Sequence, residues 1–315
     1  MPPVPDDSTR IHLDTDFGGD PDDAAALALL LGSPRTEIAG ITTNLDAGGR
    51  RAGCVVRYLE LAGRTDVPVV AGADASMTTG RRFESTWNEA RYWPEAVEPR
   101  PAVPGAALDL LDRNIAHGAT VVAIGALTNL ARLELQRPGA LRDVRVVATA
   151  GWLDDQRTRG LPDWGPAMDF NVQCDTRAAA TVAAVADLTL VTLPASITAQ
   201  LRGAHLDRLR AAGPVGALLA RQSQQHASDN GFAALAAAHA GLADDLVNFH
   251  WDPVTCAVAL DWPCTKIETR PIETAADGNL LRFRAHESGR PTRVVVGVDG
   301  DDFNERWLAA VEAIV

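Results

Sequence analysis

Strand-like and helix-like segments alternate through the first two thirds of this 315-residue chain, and that order constrains the fold more than any other feature. Residues 11–13 read as a strand and residues 22–31 as a helix that Gly32 closes. Strands at 37–43 and 67–70 flank a helix at 52–62, and Pro68 predicts an edge or strand-entry position for the second of them. Helix 106–113, strand 120–124, helix 128–135, strand 144–148, helix 176–186 and strand 188–193 continue the series. Such an order predicts an α/β fold: an open, mostly parallel sheet, Rossmann-like at its core, with helices on both faces. The last third differs. Residues 206–239 read as alanine-rich helices and 253–260 as another, and three antiparallel strands are predicted at 265–270, 280–285 and 292–296 before a final helix at 302–315. No fixed-period repeat or low-complexity linker divides the chain, so residues 1–315 are expected to form one domain.

The first strand-to-helix turn carries Asp14, Asp16, Asp20, Asp22 and Asp23, five carboxylates in ten residues. Ligands of open parallel sheets bind at the carboxyl ends of strands, and this turn is such an end. Asp20 reads as a helix cap followed by Pro21 at the first helical position, and acids in a first helical turn are favoured by the helix dipole. That accounts for Asp20 and for one of Asp22 and Asp23. It leaves Asp14 and Asp16 unexplained, because like charges crowded at one point are costly without a cation. Hard divalent cations take several carboxylate and carbonyl oxygens, so the turn predicts a metal site.

Composition narrows the classes further. A formal net charge of -12 argues against a nucleic-acid backbone or an anionic membrane as partner. No run of about 18 apolar residues is present, so no transmembrane helix is expected. The segment 1–7 lacks a basic stretch followed by an apolar one, so no signal peptide is expected and the chain reads as cytoplasmic. Cys54, Cys174, Cys256 and Cys264 form no Cys-x-x-Cys pair and read as reduced structural thiols.

At the acidic turn the chain resembles the inosine–uridine-preferring nucleoside hydrolases. Asp14-Thr15-Asp16, a glycine, then Asp22-Asp23-Ala24 ahead of an amphipathic helix is similar to their first motif, here two residues longer through Gly19-Asp20-Pro21. Further matches follow in order. Gly40-Ile41-Thr42-Thr43 and Leu59-Glu60-Leu61-Ala62-Gly63-Arg64 resemble the second βα unit. Ile124-Gly125-Ala126-Leu127-Thr128-Asn129 resembles a Gly-Pro-Leu-Thr-Asn turn, Asp169-Phe170-Asn171 a Glu-Phe-Asn, and Asp252-Pro253 a late Asp-Pro.

The resemblance implies Ca²⁺ held by Asp16, Asp23, the Ile124 carbonyl and Asp252, with Asp14 supporting. It implies that a water on the metal loses its proton to Asp16 and attacks the anomeric carbon of a small-molecule ribonucleoside through an oxocarbenium-like state. Asp22, Asp169 and Asn171 are then expected on ribose hydroxyls, and Asp163 near the 5′ side of the sugar. Asn44 and Asp46 follow the second strand, where the family places a ribose-contacting asparagine. A homodimer or homotetramer is also implied.

The leaving-group end departs from the pattern. Where many members carry a histidine before the late aspartate, this chain has Trp251, with His250 displaced by one. Both are candidates for contact with the base, Trp251 by stacking. The long loop after the third strand contains no histidine but offers Arg81, Arg82, Glu84, Trp87, Tyr92 and Trp93, which read as lid or interface residues. Trp152 and Trp164 lie in a second long loop and His226 in the later helical region. Two other readings remain open. A haloacid dehalogenase-type phosphohydrolase also begins with Asp-x-Asp, but it needs a lysine, and Lys266 is the only one here. A non-catalytic Ca²⁺-dependent nucleoside or sugar binder is the second.

Overall fold

The computed structural model describes residues 8–82, 90–157 and 159–314. In chain order the first half runs β1 (Thr9–Thr15), α1 (Asp22–Gly32), β2 (Thr36–Thr43), α2 (Arg50–Leu61), β3 (Val69–Ala71), α3 (Ala106–Ala116), β4 (Thr120–Ala123), α4 (Thr128–Gln136) and β5 (Arg145–Thr149). There follow α5 (Phe170–Cys174), α6 (Thr176–Val185), β6 (Asp187–Val191), α7 (Leu193–Ser196), β7 (Gln200–Arg202), α8 (Leu206–Ala211), α9 (Gly213–Asp229) and α10 (Phe232–Ala238). The chain closes with β8 (Leu246–Phe249), α11 (Trp251–Ala259), β9 (Thr265–Asp277), β10 (Leu280–Ala285), β11 (Arg290–Val298) and α12 (Gly300–Glu312).

Nine strands form one sheet in the order β10-β9-β11-β6-β5-β4-β1-β2-β3. From β3 to β11 every neighbour is parallel, and β9 and β10 then add antiparallel strands at the far edge. β3 is the opposite edge, as Pro68 predicted. The sheet reverses direction between β1 and β4, whose neighbours diverge to either side. A crevice opens at such a point outside the strand ends. The antiparallel pair β7–β8 forms a separate small sheet that the sequence pattern did not disclose, each strand being only three or four residues long.

Side chains alternate across each strand, and both faces are covered. Val122 and Val147 enter one core with α1, α11 and α12, while Val121, Ala123, Val146 and Ala148 enter a second with α4 and α6. Helix α1 is buried nearly all round, which its alanine- and leucine-rich sequence permits. Gly32 at its end lies so close to α12 that an added Cβ would fall 1.8 Å from the Ala310 carbonyl oxygen. Tyr58 Oη and Trp307 Nε1 donate to the carbonyls of Ala24 and Ala25, at 2.8 and 3.0 Å. These ties fix the helix whose first two residues are Asp22 and Asp23, and so place both acids in the crevice. Among the described residues no helix is long and apolar enough to cross a membrane.

The long loops are less open than the sequence predicted. Tyr92 and Trp93 are buried in the larger core, where Tyr92 Oη donates to Asp229 at 2.6 Å. Arg82 pairs with Asp74 on the surface. Glu84 and Trp87 lie outside the described residues.

Candidate active site

A cavity of about 600 Å³ opens at the switch point of the sheet. One end is acidic. Asp16 follows β1, Asp22 and Asp23 start α1, Asp252 lies in the first turn of α11, and Ile124 follows β4; all five line the cavity. Carboxylate oxygens of Asp22, Asp23 and Asp252 come within 4.8 Å of one another. That trio differs from the expected ligand set, since Asp22 joins it and Asp16 stands beside it. Burial raises the pKa of Asp16, Asp22, Asp23 and Asp252, and repulsion from neighbouring carboxylates raises that of Asp22, Asp23 and Asp252 further. Buried Arg51 is the opposing charge, and it favours the ionised forms of Asp16 and Asp23. Its guanidinium is held by the carbonyls of Phe17 and Leu45, both at 3.2 Å. One arginine against four buried carboxylates leaves negative charge in excess, and an all-oxygen donor set suits a hard divalent cation.

Buried polar groups support this end from behind. Asp14 accepts from Thr42 Oγ1 at 2.5 Å, from Asn129 Nδ2 at 2.7 Å and from Asn44 Nδ2 at 3.1 Å. Gly125 sits where an added Cβ would meet Asp16 Oδ1 and Asn44 Nδ2 at 2.8 Å, so only glycine lets the β4 end approach Asp16 this closely. Thr42 in turn lies 2.9 Å from His12 Nε2, and Asn114 Nδ2 lies 2.9 Å from His12 Nδ1. Since Asn114 donates to Nδ1, Nε2 carries the proton and the imidazole is neutral.

Burial lowers the His12 pKa to about 3. The unfolded chain therefore binds a proton that the native state does not as pH falls below about 6.5. Stability from this residue is complete above that pH and is lost on acidification toward 3. Between pH 7.5 and 5 the native protein is expected to lose about 2 kcal/mol more than His12→Gln does, as read from urea unfolding. An identical pH dependence in the two proteins would contradict the neutral assignment.

The other end of the cavity is aromatic. Trp251 stacks on Phe249 at 4.7 Å, Trp164 meets Phe249 edge-on at 5.8 Å, and Phe232 meets it at 5.7 Å. His226 and Asn230 also line this cavity, while Met168 and the half-exposed Phe170 stand in its wall.

Asp169 and Asn171 line the cavity wall, on the segment that begins α5. Both Asp169 oxygens already accept backbone amides, from Gly151 at 2.6 Å and Val172 at 3.2 Å, and Asn171 Nδ2 donates to the Thr149 carbonyl at 3.0 Å. Several other expectations are corrected. Asp163 points into solvent, 92% exposed, and pairs with Arg157. His250 is buried away from the cavity, with its ring 4.4 Å from that of Trp307 and its Nε2 without a partner among the described residues. The one-residue displacement from the family position turns the side chain about 100° around the helix start, toward α12. Asp46 accepts the amides of Arg51 and Ala52 and so anchors the start of α2, while Asn44 serves Asp14; neither lines the cavity. Asp20 is more than a cap. Helix α1 begins at Asp22 with Pro21 in the cap position, and Asp20 reaches into the cavity to meet Asn248 and His226. Arg51, Asn248 and His226 carried no motif in the sequence and are brought here only by the fold.

The sequence model described as inosine-uridine preferring nucleoside hydrolase matches residues 11–305. The chain belongs to this nucleoside hydrolase family. A pyrimidine-specific ribonucleoside hydrolase of Salmonella enteritidis is 31% identical over 226 residues, covering 67% of this chain and 68% of that protein. An uncharacterized protein of Schizosaccharomyces pombe is 30% identical over 204 residues, 61% of this chain and 63% of that one. Solved nucleoside hydrolases share the fold throughout. A purine-preferring ribonucleoside hydrolase from Gardnerella vaginalis superposes with TM-score 0.78 at 21% identity, over 97% of this chain and 99% of the other. A plant nucleoside hydrolase gives 0.77 at 23% identity, over 96% and 98%. A pyrimidine-specific relative and a purine-preferring structural neighbour stand side by side here, so neither likeness fixes the base.

Proposed function

We propose that this protein hydrolyses the N-glycosidic bond of ribonucleosides to ribose and free base, with Ca²⁺ as its cofactor, as a cytoplasmic homodimer or homotetramer built from one domain. The observation that carries the reading is one cavity with a buried carboxylate cluster at one end and stacked aromatic rings at the other. The first suits a cation and sugar hydroxyls, and the second suits a flat base.

Asp22, Asp23 and Asp252 would hold the ion, with Asp16 and the Ile124 carbonyl at the same end. A bound divalent cation supplies Lewis acidity toward water and a template for vicinal hydroxyls. Asp16 takes the proton of the attacking water at a carboxylate oxygen. Asp22 accepts from a ribose hydroxyl, and the cluster as a whole favours positive charge developing on the sugar ring. Asn171 and Asp169 border the sugar on the side of α5. Trp251 offers its face to the base.

A reducing-sugar assay over purine, pyrimidine and modified ribonucleosides, with Ca²⁺ present, tests this. Ribose release is expected from at least one of them. The matching 2′-deoxynucleoside is expected to react roughly a hundredfold more slowly, since it lacks a hydroxyl made to meet charged oxygens. Equal rates on the two sugars would contradict the placement of the sugar, and binding without any ribose release would favour a pure binder.

A further inference from the structure

His226 stands where the acidic and aromatic ends of the cavity meet. Its Nε2 lies 3.4 Å from Asp20 Oδ2, and its ring meets Phe232 edge-on at 5.4 Å. Of the seven histidines in the sequence, it alone lines the cavity. Asp20 belongs to the lengthened part of the acidic turn and is itself held. Asn248 Nδ2 donates to its Oδ1 at 2.6 Å and the Asp22 amide at 3.2 Å, which leaves Oδ2 for the imidazole. Asn230 Nδ2 donates to the His226 carbonyl at 3.0 Å and lies 3.3 Å from Nδ1, so Nδ1 accepts from it in the neutral ring and is free to carry a proton when the amide bonds the carbonyl alone.

With sugar at the acidic end and base at the aromatic end, the glycosidic bond lies near that junction. A base expelled as an anion is a poor leaving group, and a proton delivered as the bond breaks removes the difficulty. Resting on the ribonucleoside reading above, we propose that His226 is the general acid that protonates the departing base, and that Asp20 is a positioning residue that holds its Nε2–H.

The step balances. As the bond between C1′ and the base nitrogen breaks, its electron pair moves onto the base, which takes the proton from His226 Nδ1. The attacking water adds its oxygen to C1′ and gives a proton to Asp16. Histidine is left neutral and Asp16 protonated; exchange with solvent restores both, and the sum is nucleoside plus water giving ribose plus base.

The surroundings suit an acid. Burial opposes the charged form, but Asp20, through charge and hydrogen bonding, and Asp229 on the same helix hold the pKa above the ordinary histidine value. Asp229 is shared with Arg91, Tyr92 and Gln225, and Phe232 of α10 adds no charge. Since the imidazolium is the active form, activity falls as pH rises through its pKa.

The test compares ribonucleosides with 4-nitrophenyl ribofuranoside, whose phenolate leaves without a proton. His226→Gln is expected to lower kcat on ribonucleosides by about 10²-fold or more, and to lose the basic limb of the pH profile. It is expected to cleave the aryl riboside within about threefold of wild type, which also shows that it folds. Equal falls on both substrates, or no fall on ribonucleosides, would overturn the proposal. Wild-type protein that releases ribose from neither substrate would overturn the functional reading itself, and this assignment with it. Asp20→Asn keeps the imidazole and is expected to move the basic limb down by about one pH unit. A limb that stays in place would overturn the role of Asp20.

Discussion

Asp16→Asn is expected to lower kcat on the best ribonucleoside by roughly three orders of magnitude at saturating Ca²⁺, with the fold intact. The carboxylate is buried at the end of β1, where desolvation raises its pKa and Arg51 opposes that rise. Asparagine keeps the shape and one acceptor oxygen but cannot take a proton from water. The loss therefore belongs in kcat, while KM at saturating cation changes by less. Asp16 is also packed against Gly125, so a smaller side chain would open space beside β4; asparagine avoids that complication. Thermal unfolding within a few degrees of wild type would confirm that chemistry, and not folding, was removed. A variant that keeps more than a tenth of wild-type kcat would refute the base assignment.

Much of this architecture was legible in the sequence because its signals are local. The strand and helix series needs only apolar periodicity and caps, and α1 begins at Asp22 as that periodicity predicted. The acidic end was legible for the same reason, since its turn is continuous in sequence. Its closure by Asp252, on α11, could be read only from the family resemblance. What stayed hidden depends on tertiary packing. His250 and Trp251 are adjacent, yet one packs on Trp307 and the other faces the cavity, because successive residues at a helix start point in different directions. Asp163 looked like a sugar contact by position and is an exposed ion pair. His226 and Asp20 are far apart in the chain, and no pattern joins them before the cavity forms. Strands β7 and β8 were missed because three or four residues carry too little periodicity.

Removing the cation is expected to have the second large effect. Exhaustively chelated protein should lose ribonucleoside hydrolysis and regain it with Ca²⁺. Thermal unfolding separates a cation at the carboxylate cluster from one bound elsewhere. A ligand at about one hundred times its Kd stabilises the native state by about 2.7 kcal/mol, which raises Tm by roughly 5 °C for a protein of this size. Asp252→Asn should abolish that rise. It should also leave the metal-free protein as stable as wild type or more so, because it relieves repulsion among buried acids that have Arg51 as their opposing charge. The direction of that second effect is diagnostic. A carboxylate kept only for its hydrogen bonds, such as the one it shares with Thr149, would cost stability when neutralised. A residue kept to bind a cation strains the empty protein and stabilises the loaded one. Full activity after chelation would refute the need for a cation, and a Ca²⁺-dependent rise in Tm that Asp252→Asn retains would place the cation away from α1 and α11.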